Sequence, residues 1–249
     1  MTRISTVIIA QDEEELLERC VRPCLEFSDE VLVVDGGSRD RTRLVAEALG
    51  CRVIENAWPG YSAQRNLGAR EAAHDWIFSV DPDETVDEEL ARALAKFRET
   101  GPANGQVAYS VDRINSFMRR WFPESSERKV RLYDRRAAEF TDAIVHEVVN
   151  VPTERTEPQP GHVWHDSWRD LGEIARRIDT YTSLEADREA ARRPMRLWRL
   201  LLRPPLRFGH RYQIQRGYRH GWRGLFFALS WVWWELLREM KVYELRRTR

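Results

Sequence analysis

The stretch EVLVVDGGSRDRT, residues 30–42, holds the key to the chain architecture. Its unbroken apolar run reads as a strand buried on both faces, the signature of a parallel sheet. Asp35 closes the run, and Gly36 and Gly37 allow a ligand close to the backbone. Ser38 and Asp40 then stand as candidate N-caps of a following helix. Working outward, the same alternation recurs on both sides. ISTVIIA (4–10) precedes a helical EEELLERCVRPCLEF, and a helix over 40–49 leads to CRVIEN. A helical stretch over 62–73 leads to DWIFSV. Apolar strands joined by helix-length connections predict an α/β open sheet, mostly parallel, with helices on both faces. Such sheets bind ligands at the carboxyl ends of their strands. Three of those ends are polar or acidic here: residues 11–13, Asp35, and residues 81–84.

Downstream the pattern loosens into short strand candidates, QVAYSVDRI, KVRLYDR and AIVHEVVNV, and PTERTEPQPG reads as a surface loop. A polar amphipathic helix over 171–193 follows. Arg203-Pro204-Pro205 is expected to break a short basic helix, and a long final helix is expected from about Gly221. A composition of 42% hydrophobic and 32% charged residues belongs to a folded globular protein. Three cysteines, Cys20, Cys24 and Cys51, cannot all pair, and no apolar leader precedes the first strand. The expectation is a cytosolic chain with reduced, buried thiols and no cysteine metal site.

The formal net charge of zero hides an asymmetry. From Arg192 onward there are fourteen Arg and one Lys against three Glu, a net of +12, so the rest carries −12. Five of the ten tryptophans also fall there. A basic, aromatic tail suits a polyanionic surface. The final helix places Trp222, Leu225, Phe226, Leu229, Val232, Trp233, Leu236, Met240 and Tyr243 at helical spacing on one face, and its most apolar stretch, LFFALSWVWW, is about half of the roughly 20 residues that span a bilayer. An in-plane membrane helix is the expectation, with packing on the sheet or on a second subunit as the plain structural alternative. Nucleic acid is not expected, because the aromatics form an apolar face instead of interleaving with the basic residues.

The acidic turn FSVDPDET, residues 78–85, follows the fourth strand. Thr85 and Glu88 are spaced as a capping box for the next helix, which would leave Asp81 and Asp83 without a capping duty. Side chains two apart on an extended segment point the same way, so both carboxylates are expected to converge on one hard cation, Mg²⁺ or Mn²⁺. By itself an Asp-x-Asp turn is common.

VIIAQDEEE, VLVVDGGSRDRT, GYSAQRNLGA and the DPDE turn, in this order, resemble family 2 glycosyltransferases of the GT-A fold. Within them the likeness is greatest to the bacterial lipopolysaccharide core β-glucosyltransferase group. It is dense over about the first 90 residues and thin through VRLYDRR, VHEVV and His165. The resemblance implies a catalytic nucleotide-sugar-binding domain over residues 1–165 and a helical, basic and aromatic, membrane-associating region over 166–249. It places Ala10 and Glu13 against the nucleoside, Asp35 on the uracil or ribose, and Arg65 on the nucleotide. Asp81 falls on the ribose or metal and Asp83 becomes the principal metal ligand. It implies an inverting displacement in which the cation neutralises the leaving diphosphate and a carboxylate takes the acceptor's proton. Glu147 is the expected base, with Asp142 as runner-up. His146 and His165 are candidates to approach the diphosphate or metal, and Arg128 and Arg131 to approach a phosphorylated acceptor. The sequence departs from the family pattern at Gly36, where many relatives carry a second acid, at Gln11-Asp12 and at Pro82.

The implied function is transfer of a hexose, glucose from UDP-glucose, onto a lipid-linked glycan such as the lipopolysaccharide inner core. The protein would sit peripherally on the inner face of the cytoplasmic membrane, against an anionic surface. Transfer to a polyprenyl phosphate is an alternative of the same class, and a catalytically silent nucleotide-binding scaffold is one of another. Retention of Asp35, Asp81 and Asp83 argues against the scaffold.

Overall fold

The computed structural model describes residues 1–103, 105–141 and 148–248. In chain order the elements are β1 (Ile4–Ala10), α1 (Leu17–Cys24), β2 (Glu30–Asp35), α2 (Thr42–Ala48), β3 (Arg52–Glu55), α3 (Tyr61–Glu71), β4 (Trp76–Val80), β5 (Glu84–Val86), α4 (Glu88–Thr100), β6 (Ala108–Phe117), β7 (Arg120–Trp121), β8 (Glu127–Asp134), β9 (Thr156–His165), α5 (Leu171–Arg192), α6 (Leu197–Gly209) and α7 (Gly221–Thr248). They fall into two compact units: residues 1–115 with 126–166, and residues 116–125 with 167–249.

The first unit is the expected α/β sheet. Strands β3, β2, β1 and β4 lie side by side in parallel. The sheet continues through β8, β6 and β9 to β5, with β8 antiparallel to both β4 and β6, and β9 parallel to β6. Alternation along each strand assigns side chains to two apolar layers. Ile4, Ile8, Val31, Val33 and Phe78 pack with Leu17, Cys20, Ala46 and Leu90 of α1, α2 and α4. Val7, Ile9, Leu32, Val34 and Ile77 pack with Ala69 of α3 on the other face. Gly68 brings α3 so close to the sheet that a Cβ there would lie 2.4 Å from Val7 Cγ1 and 2.9 Å from Val34 Cγ2.

The structure revises three local expectations. The helix after the acidic turn is capped by Asp87, whose carboxylate accepts from Leu90 N at 2.8 Å. Thr85 lies in β5, its hydroxyl without a hydrogen-bond partner, so the capping box does not form. Asp81 and Asp83 are nonetheless free of capping duty, because Asp87 performs it. Most of the loop expected at PTERTEPQPG belongs to β9. Over residues 156–160 that strand is hydrogen-bonded to β6 on one side only, since β5 meets it at Val163–His165, and a strand edge tolerates the missing N–H of Pro158 and Pro160. Finally, Pro204 and Pro205 lie inside α6 instead of ending it.

In the second unit α5 packs on α7, and α7 on α6. Phe117, Phe122, Ile174, Ile178 and Trp234 form its apolar core. The arginines of this region meet glutamates that face inward. Glu239 is fully buried and bonds Arg193 at 2.6 Å, while Glu235, 1% exposed, bonds Arg207 at 2.8 Å and lies 3.8 Å from Arg203. Burial works to raise the carboxyl pKa of Glu239, but the Arg193 bond and the nearby guanidiniums outweigh it and hold the group below its ordinary value. The net of +12 already includes these glutamates; what the linear count did not show is that they are buried and draw their arginine partners onto α7. No helix of the described residues is long and apolar enough to cross a membrane.

Candidate active site

The carboxyl ends of β1, β2 and β4 gather the predicted residues. In register, Ala10 sits opposite Asp35, so the ends of the first two strands are level. Asp35 is fully buried. Its Oδ2 accepts from the N–H groups of Gly37 and Ser38, each at 3.0 Å, and its Oδ1 accepts from the Ser38 hydroxyl. The carboxylate thus shapes the glycine turn from inside. Ser38 Oγ in turn accepts from Asp12 N at 3.0 Å, and Asp40 ties Glu14 N to the start of α2. Glu13 N donates to Thr42 Oγ1 at 2.8 Å. Ser38 and Asp40, expected as caps, act mainly as links between the two loops. Gly36 has a steric reason: a Cβ there would lie 2.5 Å from Trp58 Cε3. A side chain at this position would have to displace that indole.

Arg65, on α3, is 6% exposed and ion-pairs with Asp81 Oδ1 at 2.5 Å, its guanidinium over the Phe140 ring at 5.3 Å. Burial pushes the Asp81 carboxyl pKa up. The guanidiniums of Arg65 and Arg131 pull it down further than burial and the charge of Asp83 push it, so Asp81 stays ionised below its ordinary value of 3.8.

Asp83 has a different partner. Pairing of β5 with β9 sets Glu84 opposite His165, and Asp166 N donates to Asp83 O at 2.8 Å. His165 Nε2 is thereby brought 3.1 Å from Asp83 Oδ2, while its Nδ1 lies 2.8 Å from Asn115 Oδ1. His165 Nε2 and Asp83 Oδ2 are thus at hydrogen-bond distance, and the same two atoms offer a nitrogen and an oxygen donor to a cation. A spacing of 3.1 Å also matches two adjacent ligands of an octahedral cation with bonds of about 2.1 Å. The carboxylate of Asp83 is the kind of donor that Mn²⁺ or Mg²⁺ takes, whereas the imidazole of His165 is a less usual ligand for such hard cations. The described residues hold no cluster of three or more His, Cys, Asp or Glu side chains suited to a metal. The two aspartates expected to share one cation thus make contacts with different side chains, Asp81 with Arg65 and Asp83 with His165.

Glu84 was overlooked as a site residue in the sequence. It is fully buried: Oε2 accepts from Asp81 N at 3.0 Å, and Oε1 accepts from Arg131 and lies 3.6 Å from Arg113. Arg131 is therefore an interior group that is not displayed for an acceptor, whereas Arg128 is exposed and paired bidentately with Asp112 at 2.8 Å. The signal for Glu84 was its place between Asp83 and the β-branched pair Thr85-Val86, a strand in which it had to point inward. Asp142, His146 and Glu147 lie outside the described residues.

The model of the family described as "Glycosyl transferase family 2" matches residues 5–150. An uncharacterized glycosyltransferase of Rickettsia bellii is 30% identical over 146 residues, 57% of this chain and 49% of that protein. The chain thus spans about half the length of such curated relatives. The lipopolysaccharide core biosynthesis glycosyltransferase LpsC of Rhizobium meliloti is 27% identical over 256 residues, 97% of this chain and 92% of that protein. Among solved structures, glucosyl-3-phosphoglycerate synthase from Mycobacterium tuberculosis in complex with Mn²⁺ and UDP-glucose matches 46% of this chain and 44% of its own, at 23% identity and a TM-score of 0.39.

Proposed function

Because this chain belongs to glycosyl transferase family 2, we propose that it transfers a hexose, glucose from UDP-glucose, with inversion onto a lipid-linked glycan such as the lipopolysaccharide inner core. The observation that carries the reading is the Asp83–His165–Asn115 chain at the end of β4, beside the Asp81–Arg65 pair. The near full-length similarity to LpsC supports the acceptor class. The protein would work as a peripheral protein of the inner face of the cytoplasmic membrane. Residues 1–165 would form the catalytic domain and 166–249 the membrane-associating region.

Asp83 and His165 would hold Mg²⁺ or Mn²⁺. When bound, the cation supplies charge neutralisation for a diphosphate leaving group. Asn115, 2.8 Å from Nδ1, would hold the ring of His165 so that Nε2 faces the site. Arg65 keeps Asp81 ionised, and Asp81 with Arg65 is the proposed nucleotide-facing pair. Ala10 and Glu13, with Asp35 holding the glycine turn, would line the nucleoside. Glu147, with Asp142 as second choice, is the proposed base that takes the acceptor proton, on the strength of its place in VHEVV.

The test measures UDP-glucose turnover with Mn²⁺ and, separately, the rise in melting temperature with UDP plus Mn²⁺. Asp83→Asn and His165→Ala are each expected to lower turnover roughly 100-fold or more and to abolish the Mn²⁺-dependent part of the thermal shift. Unchanged turnover and shift in both variants would overturn the assignment.

A further inference from the structure

Helix α6 is built inside out. Arg199, Arg203 and Arg207 recur every fourth residue and turn toward Glu235 and Glu239 of α7. On the opposite face Leu197, Trp198, Leu201, Leu202 and Leu206 are 48–70% exposed. A helix on a water-facing surface does the reverse. The helix it packs against, α7, adds a stripe of its own: Trp222, Leu225, Leu229, Trp233, Leu236 and Met240 are 37–59% exposed.

The chemistry around these leucines selects an occupant. No acidic residue occurs in α6, and the glutamates of α7 nearest to it are turned inward. Arg192 and Arg196 before α6 and Arg216 after it are exposed, which supplies cationic groups at both ends of the apolar face. Trp198, Trp222 and Trp233, amphipathic side chains of a kind found at the membrane–water boundary, stand among the leucines. At 13 residues α6 is about 20 Å long, too short to span roughly 30 Å of hydrocarbon but suited to lying in the plane of a leaflet. We propose that the exposed leucine face of α6, together with the apolar stripe of α7, docks this protein into the interfacial layer of an anionic bilayer. This deepens the membrane location given above by naming its surface, and it uses no residue of the strand-end site.

The experiment co-sediments the full chain with vesicles of phosphatidylethanolamine and phosphatidylglycerol, and with vesicles of phosphatidylcholine alone. Wild type is expected on the anionic vesicles and more weakly on the zwitterionic ones. The double substitution Leu201→Glu, Leu202→Glu is expected to cut binding by about tenfold or more with its melting temperature unchanged, since both side chains are already exposed. In the unmodified protein, lipids brominated along the acyl chain are expected to quench tryptophan fluorescence, and less so in Trp198→Phe. Undiminished vesicle binding by the double variant would overturn the inference, as would equal binding to phosphatidylcholine. A wild type that ignores vesicles but forms a dimer split by the double substitution would reassign the face to a contact between two copies. Donor turnover by the double variant in vesicle-free solution, expected at the wild-type rate, separates failure of this inference from failure of the transfer reading.

Discussion

Replacing Glu84 by Gln tests what holds the acidic turn. The side chain is fully buried and does two things at once: Oε2 accepts from Asp81 N–H at 3.0 Å, and Oε1 neutralises Arg131, itself 5% exposed. Glutamine keeps the volume and one acceptor oxygen but no charge. Its amide NH₂ must then face either the Asp81 N–H or the Arg131 guanidinium, a donor against a donor. Arg113 loses support as well. Burial works to lower its pKa, and the carboxylates of Glu84 and Glu127 more than reverse this. Removing one member of a buried ion pair costs about 3–5 kcal/mol, and the retained amide oxygen places Glu84→Gln near the low end, about 3 kcal/mol. For a chain of this size that corresponds to a fall in melting temperature of roughly 6–12 °C. Urea denaturation followed by fluorescence gives the free energy directly. A cycle with Arg131→Gln should show a coupling of about 1–3 kcal/mol, because the second substitution removes a charge already stranded by the first. A cost below about 1 kcal/mol, or two costs that simply add, would refute the reasoning and return the turn to its backbone geometry alone.

Two further outcomes follow from the same unit. Gly68→Ala, which in an exposed helix would stabilise by about 1 kcal/mol, should destabilise here by about 1–3 kcal/mol, because its Cβ would lie 2.4 Å from the stiff Val7 side chain; chemical denaturation reads the sign. Asp81 titrates below 3.8 in the folded chain, so its contribution to stability is complete above that value and is lost as pH falls through the depressed one. In Arg65→Met the largest lowering influence is gone and burial pushes the group up. The acid-side fall of the melting temperature should then move to higher pH, and an unchanged profile would show that Arg65 does not set the ionisation of Asp81.

The parallel half of the sheet was legible because its information is local. Unbroken runs such as VLVVD and IFSV can satisfy their side chains only when covered on both faces, and the structure buries β1, β2 and β4 in this way, with β3 half-exposed at the edge. The antiparallel half was harder to read. β9 carries two prolines and a glutamate, and only its one-sided pairing over residues 156–160 makes them compatible with a strand. The site shows the same division. Asp35, Asp81 and Asp83 announce themselves by position at strand ends. The partnership of His165 with Asp83 spans 82 residues and depends on the register of β5 against β9, which no local pattern encodes.

The C-terminal unit shows why a count of charges misleads about surfaces. A net of +12 from Arg192 onward suggests a cationic face, yet Arg193, Arg199, Arg203, Arg207 and Arg238 are spent on Glu189, Glu235 and Glu239. Desolvating so many charges is costly, and the return is geometric: guanidiniums four residues apart can meet the two buried carboxylates of α7 in only one register. A helix pair apolar on both sides would have no such constraint and could roll. Fixing α6 by its arginines obliges its leucines to face outward, and this also carries the helix past Pro204 and Pro205, since Arg203 and Arg207 on either side both reach Glu235. In the proposed membrane contact the apolar face itself would then supply the main attraction, with the exposed arginines adding a smaller, salt-sensitive share.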